Sequence, residues 1–348
     1  MGCCGTCNTN SFLHKTRDTG IDNNSSSSNI EDEKYTFIKE VSQCFSGKVF
    51  KAKSNKTKNI YIIKIIEERK KLKYGIIEAL ILGKCNHPNI INLKQVYKER
   101  KGNEISLNIA TVLANDGDLF QKLIENENYD EETLLFWLMQ ICLGLSYLHK
   151  KHIIHRDIKP KNIFVNKNGL IKIGDLGFAK HINNKDELKK KQTILGTDKY
   201  MSPEMKEGIY DSKTDIYSLG QTFQDFIEGK TNYSDSFKNL INSLIEEKPS
   251  KRPSADEILN NSLIKNKMKR FLEVHNFKNS LAYQIYNKIK DQKINNEDSF
   301  FKIVKKERKN LYKVENINKE TEIENKELVE KDLDILMCFI YKRINGKY

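Results

Sequence analysis

Four residues whose types and spacing could do chemistry lie within His155–Gly177, HRDIKPKNIFVNKNGLIKIGDLG. Asp157 follows His-Arg directly, Lys159 comes two residues later, and Asn162 three after that. Asp175 closes the stretch in Asp-Leu-Gly. Between them, Ile163–Val165 and Leu170–Ile173 read as short strands joined by the turn Asn166–Gly169. A hairpin with polar groups at both ends brings Asn162 and Asp175 together. One amide oxygen and one carboxylate suit Mg²⁺, a hard cation that keeps waters and shares phosphate oxygens. Asp157 then remains as a base, and Lys159 as a donor to a phosphate in transit.

The stretch resembles the catalytic loop and metal-binding turn of eukaryotic protein kinases, H-R-D-x-x-x-x-N followed by D-F-G. The full spacing, with Lys159 and the hairpin between, is specific where a lone His-Arg-Asp would not be. The resemblance implies an α+β, two-lobed protein kinase fold, with a small β-rich N-lobe and a large helical C-lobe. It covers residues 35–264. It also implies ATP and Mg²⁺ as cofactors, Asn162 and Asp175 as metal ligands, and protein serine or threonine hydroxyls as acceptors. Lys159, two residues after the base, and Thr197 after Gly196 favour serine/threonine over tyrosine.

The elements that must position these groups follow in order. Tyr35–Val41 and Gly47–Lys53 alternate around a turn. Where the family carries G-x-G-x-x-G-x-V, this chain has Ser42-Gln43-Cys44-Phe45-Ser46-Gly47-Lys48-Val49, keeping only Gly47. Asn59–Glu67 reads as a strand with Lys64 at its centre. A lysine on a buried strand needs a partner, since an unpaired buried ammonium is expensive. By resemblance Lys64 holds the α/β-phosphates and pairs with Glu78, in the helical pattern Leu72–Cys85. Ile62 stands where the family usually has Ala under the adenine ring. Ile90–Tyr97 and Ser106–Val112 read as further strands of the same sheet, and Leu113–Gly117 as a hinge. The resemblance places Thr111 as gatekeeper, Val112 and Ala114 as backbone partners of adenine, and Asp118 at the ribose. Asp118 reads equally as a helix N-cap. Val41, Ser42, Gly47, Val49 and Phe164 complete the implied nucleotide site.

Thr133–Lys150 is an amphipathic helix leading to His155. The lysine-rich segment after Gly177, ending in Ser202-Pro203-Glu204, resembles an activation segment. Thr193, three residues before Gly196, sits where the family usually places a regulatory phosphate, with Arg156 beside the base to receive it. Asp215 is expected to tie the catalytic-loop backbone, and Arg252 to pair with Glu204. Lys161, inside the catalytic loop, disfavours a basic substrate consensus. A helix at Ala255–Ile264 ends the kinase-like region. Residues 265–348 form a helical extension, with apolar periodicity at Leu281–Ile289, Phe300–Val304 and Leu333–Ile344. Helices docked on the kinase-like region are the favoured reading over a membrane or calmodulin face.

The 348 residues carry a formal net charge of +13, which favours acidic partners. No zinc-finger, recognition-helix or aromatic RNA-binding signature accompanies that charge, so nucleic acid is not the expected partner. The seven cysteines show no paired spacing outside the first seven residues, which fits a reducing compartment. The N-terminal sequence MGCCGTC fits M-G-x-x-x-[ST], so Gly2 is a candidate for myristoylation and Cys3 and Cys4 for palmitoylation. Two lipids would hold firmly where one holds weakly. The Ser/Asn-rich remainder of 1–34 reads as a flexible linker. The expectation is therefore a cytoplasmic serine/threonine kinase anchored peripherally to a membrane by its N-terminal lipids. The competing reading is a pseudokinase scaffold, resting on the lost glycines and on Ile62.

Overall fold

Runs of β-branched and aromatic residues build a five-stranded antiparallel sheet in the order β1-β2-β3-β5-β4. The strands are β1 (Tyr35–Gln43), β2 (Lys48–Ser54), β3 (Ile60–Ile66), β4 (Leu93–Lys101) and β5 (Glu104–Val112). The structure is a computed structural model, and it describes residues 35–101, 104–114, 116–125, 128–166, 169–182, 191–275, 281–289, 292, 294, 296–315, 336–340 and 343. The lipidation candidates Gly2, Cys3 and Cys4 lie outside the described residues, as do the linker and the loop lysines Lys185, Lys189 and Lys190.

β3, almost all isoleucine, is central and pairs with β2 and β5 on its two edges. Helix α1 (Leu72–Lys84) lies directly on it. A Cβ added at Gly75 would stand 2.2 Å from Ile66 Cδ1, so any larger residue there would have to displace the Ile66 side chain. The buried residues Gly75, Glu78, Ile81 and Leu82 share one face of α1, the i, i+3 and i+4 spacing of a helix packed along one stripe.

The larger, helical part is organised around α3 (Glu131–Lys150), which follows the short α2 (Leu119–Ile124). Asp130 caps α3 by accepting from the Thr133 N–H, and Glu131 and Glu132 complement its positive end. Its residues from Leu134 to Leu148 are buried apart from the half-buried Phe136. The chain then forms β6 (Ile153–Ile154) and the expected hairpin, with β7 at Ile163–Val165 and β8 at Ile171–Ile173, one residue shorter than the pattern from Leu170. β9 (Lys180–His181) pairs with β6. Helices α4 (Pro203–Glu207), α5 (Lys213–Ile227) and α6 (Asp235–Leu244) follow. The two-lobed α+β arrangement is therefore the one observed.

The helix expected at Ala255–Ile264 is two helices, α7 (Ala255–Asn260) and α8 (Ser262–Val274). Asn261 breaks them apart: its extended backbone leaves the helix, and its side chain caps the next by accepting from the Leu263 N–H. The boundary placed at residue 264 therefore falls inside a helix. The C-terminal pattern at Leu281–Ile289 is α9, and Phe300–Val304 lies within a longer α10 (Glu297–Glu315), with Phe300, Phe301 and Val304 buried. Of the last apolar pattern, the described residues 336–340 are helical and buried.

The extension docks on the C-terminal half of α3 and the loop after α1. Phe300, Phe301, Val304 and residues 336–340 join the main core. Asp298 accepts from the Tyr147 hydroxyl at 2.5 Å and pairs with Lys151, Glu297 pairs with Lys150 at 3.0 Å, and Arg343 with Asp256 at 2.7 Å. His87 lies under this contact, 5.1 Å from the Phe301 ring and 5.5 Å from the Phe339 ring. Its Nδ1 accepts from the Asn89 N–H, which leaves the proton of the neutral ring on Nε2. No helix among the described residues is long and apolar enough to cross a membrane.

The buried imidazole gives an acid-sensitive joint. Burial, with the charges of Lys172, Lys150 and Lys305 acting in the same direction, holds His87 well below the ordinary 6.5. The unfolded chain takes up this proton below that value while the folded chain does not, so stability falls as the pH drops below about 6.5. The slope contributed is about 1.4 kcal/mol per pH unit. His275, also pushed down by burial, adds in the same sense. Thermal unfolding between pH 7 and 5 should show a falling midpoint, and a smaller fall in His87→Gln. An equal fall in both proteins would take His87 out of the explanation.

Candidate active site

The buried ammonium of Lys64 lies 2.8 Å from Glu78 Oε2 and 2.8 Å from Asp175 Oδ1. One cation thus joins the sheet, α1 and the turn after β8. Burial alone would lower the Lys64 pKa, but Glu78 and Asp175 outweigh it and raise it above the ordinary value. Burial would likewise raise Asp175, yet the Lys64 charge and hydrogen bond hold it below 3.8. Glu78 goes the other way: burial, with Asp175 as a like charge, pushes it above 4.5 despite Lys64. Lys64 stays charged, because two carboxylates share it.

Asp175 is held in the left-handed region at φ 52°, and Arg156 at φ 69°. Non-glycine residues rarely adopt that conformation, and here both are fixed by their surroundings. Asp215 on α5 accepts from the His155 N–H and the Arg156 N–H, each at 2.9 Å, and meets the His149 ring at 2.8 Å. Its burial would raise its pKa, but the His149 bond and the neighbouring donors hold it below 3.8. The His155 ring contacts the Gly174 carbonyl at 3.0 Å, and the Gly174 N–H donates to the Asn162 carbonyl at 2.9 Å. The His155–Asn162 segment and the Asp175 turn are thereby tied together, as the hairpin reading expected.

Around Asp157 the four-residue spacing closes into a cluster. Asn162 Nδ2 donates to the Asp157 carbonyl at 2.8 Å and to its Oδ2 at 2.9 Å. Lys159 Nζ lies 2.7 Å from the same Oδ2 and donates to Thr197 Oγ1 at 2.7 Å. Thr197 donates to Asp157 Oδ1 from its N–H at 3.1 Å and its hydroxyl at 3.0 Å. The sequence marked Thr197 only as part of a serine/threonine pattern, and its bonds to Asp157 come from a segment forty residues away. The Nδ2 bonds fix the Asn162 amide, and its oxygen is the atom of that group able to meet a cation. Among the described residues no cluster of three or more His, Cys, Asp or Glu side chains could hold a metal. One amide oxygen and one carboxylate are hard oxygen donors, a pair whose chemistry fits a hard cation completed by phosphate oxygens and water.

The remaining residues expected at the nucleotide lie on or beside β1, β2, β5, β7 and the start of α2. Ser42 pairs with Val49 across β1 and β2, and Val41 is exposed. A Cβ on Gly47 would stand 2.1 Å from the Ile65 carbonyl oxygen, which explains why this glycine remains where Ser42 and Cys44 replace the others. Ile62 lies two residues from Lys64 on the same strand face and pairs with Thr111 on β5. The Val112 N–H donates to the Asn92 carbonyl, and Ala114 lies two residues beyond, at the exit of β5. Phe164 on β7 bridges to Asp118. Asp118 forms a reciprocal capping box with Gln121 at the start of α2, so the N-cap reading is the one seen.

Arg156 is buried and donates to the Phe178 carbonyl at 2.5 Å and to the Tyr210 hydroxyl at 2.8 Å. Tyr210 donates in turn to the Thr193 carbonyl at 2.9 Å, so Arg156 reaches the Thr193 backbone through one ring while the Thr193 side chain is exposed. Lys161 is exposed and lies over the Phe120 ring at 4.4 Å. Arg252 and Glu204 pair as expected, with Nη1–Oε1 at 2.6 Å and Nη2–Oε2 at 2.9 Å.

Residues 35–236 match the family described as the protein kinase domain. The chain is 31% identical over 271 residues to serine/threonine-protein kinase Nek1 of Mus musculus, covering 69% of this chain and 22% of that protein. It is 31% identical over 277 residues to serine/threonine-protein kinase Nek4 of Mus musculus, covering 71% and 34%. Against serine/threonine-protein kinase Nek5 of Mus musculus the identity is 34% over 214 residues, covering 60% and 33%. The match thus spans roughly a fifth to a third of the length of these curated relatives.

Proposed function

The chain belongs to the protein kinase family, and on that premise we propose that it transfers the γ-phosphoryl group of ATP to serine or threonine hydroxyls of proteins. The observation that carries this is Lys64 held at 2.8 Å by both Glu78 and Asp175, beside the Asp157–Lys159–Asn162–Thr197 cluster. Lys64 would bind the α/β-phosphate oxygens with a charge fixed in place by Glu78. Asp157 would orient the acceptor hydroxyl and take its proton. Lys159 would offset charge on the phosphoryl group as it moves. Asn162 and Asp175 would hold Mg²⁺, which would supply charge neutralisation for the phosphoryl group in transfer. These groups are preorganised before substrate arrives, which is where electrostatic stabilisation gains most. Lys161, exposed near the base, supports a substrate consensus that is not basic.

Mg-ATP should stabilise the protein by RT ln(1 + [L]/Kd), about 2.7 kcal/mol at a hundredfold excess over Kd. The thermal midpoint should rise with ATP and Mg²⁺ and much less with ATP and a chelator. No Mg-dependent rise would contradict the proposal. The pseudokinase reading is supported by Ser42, Cys44 and Ile62. It predicts the same rise with no phosphoryl transfer.

We also propose an N-terminal membrane tether, from Gly2 with Cys3 and Cys4, on the cytoplasmic membrane face. The excess of basic residues would add attraction to anionic lipid. Gly2→Ala should move the protein from the membrane to the soluble fraction. A variant that stays on membranes would remove Gly2 as the anchor.

A further inference from the structure

The loop that has lost its glycines carries a phenylalanine at its tip, and that ring is engaged. Phe45 lies 5.3 Å from the Tyr74 ring at 80° and 5.3 Å from the Phe178 ring at 52°. Tyr74 and Phe178 lie 5.6 Å apart at 83°, closing a triangle of largely edge-to-face contacts. Lys71 Nζ adds a cation 5.5 Å from the Phe45 ring. The three rings come from three elements: the β1–β2 loop, α1, and the turn beyond Asp175. Tyr74 precedes Glu78 by one helical turn, and Phe178 follows Asp175 by three residues. Two corners of the triangle are therefore rooted within a turn of the two carboxylates that hold Lys64. The third corner is the loop that closes over the nucleotide. Phe45 keeps 54% of its surface exposed, so ordinary core burial does not account for its place.

We infer that Phe45, Tyr74 and Phe178 form a positioning cluster that docks the β1–β2 loop onto α1 and the Asp175 turn, setting nucleotide affinity. The inference rests on the reading of this cleft as a Mg-ATP site. A glycine-rich loop reaches phosphate by letting its backbone approach closely. With Ser42 and Cys44 in place of two glycines, that approach is restricted. Docking the tip in advance lowers the ordering cost of closing the loop on ligand. The same contact braces the Asp175 turn against α1, the two elements whose carboxylates share the Lys64 ammonium. None of the three rings touches the reacting atoms, so their role is to place the groups that do.

The test is calorimetric binding of Mg²⁺ and a non-hydrolysable ATP analogue to the full chain, with steady-state kinetics beside it. Phe45→Ala loses both ring contacts and should weaken binding about tenfold. KM for ATP should rise by the same factor while kcat changes far less, and the thermal midpoint without ligand should hardly move, because the ring is half exposed. Phe45→Tyr should restore affinity, and Phe45→Leu should not. Tyr74→Ala should weaken binding too, and adding Phe45→Ala to it should cost much less than it does alone, since the two rings act as a unit. Unchanged or tighter binding in Phe45→Ala would overturn the inference while leaving the nucleotide site intact, as would fully additive losses. Wild-type protein that binds no analogue would overturn the reading of the cleft and this inference with it.

Discussion

Asp157→Asn should lose phosphoryl transfer by about 10²–10⁴-fold while still binding Mg-ATP. The substitution keeps the shape of the side chain and removes its basicity and charge. It also disturbs a specific set of bonds. In the native cluster Oδ2 meets Lys159 at 2.7 Å and accepts from Asn162, while Oδ1 accepts from Thr197 twice. An amide in that place sets one NH₂ group against neighbours that are themselves donors, so either Lys159 or Thr197 loses its acceptor. Lys64, Glu78 and Asp175 are not touched, and nucleotide binding should stay near the wild-type value. Single-turnover kinetics with saturating ATP would separate the two effects. Transfer at more than about a tenth of the wild-type rate would show that Asp157 is not the base.

Asp175→Ala should abolish the Mg-dependent part of nucleotide binding. It removes a carboxylate from the proposed metal site and one of the two anions that hold Lys64. The change also places alanine at φ 52°, a conformation costing roughly 1–2 kcal/mol for a residue with a Cβ. Asp175→Asn avoids that strain, since asparagine tolerates the left-handed region, and it retains one oxygen. The two variants together therefore distinguish charge from backbone. If charge at the metal is the cause, Asn and Ala should both lose the Mg-dependent shift, and only Ala should lower the ligand-free midpoint clearly. Retained Mg-dependent binding in both would move the metal site elsewhere.

What could be read from the sequence was mainly what is local or forced by burial. The Asp157–Asn162 spacing and the β7–β8 hairpin lie within twenty residues, and period and turn chemistry settle such a stretch. That Lys64 needs an anion was legible because a buried lysine on a strand demands one, and the family resemblance named Glu78 as that anion. Its second partner, Asp175, is 111 residues away, and no local pattern points from one to the other. Thr197 and the Phe45–Tyr74–Phe178 triangle escaped for the same reason: both are meetings of loops, where side-chain contact follows from tertiary packing and not from periodicity. The break at Asn261 did have a local signal, an Asn-Asn-Ser run able to cap a new helix, which an apolar stripe continuing to Ile264 masked. Apolar spacing located the helices of the extension. That they cover His87 and Tyr147 depended on which face of α3 was left open, which a sequence does not display.

The central claim is that the Lys64–Glu78–Asp175 and Asp157–Lys159–Asn162 groups form a working phosphotransfer site. The most direct measurement is transfer of radiolabel from γ-labelled ATP to a mixed protein substrate, wild type beside Asp157→Asn, followed by phosphoamino-acid analysis. Mg-dependent label on serine or threonine, present with wild type and nearly absent with Asp157→Asn, is the result predicted. Wild-type protein that binds Mg-ATP yet transfers no more label than Asp157→Asn would contradict it.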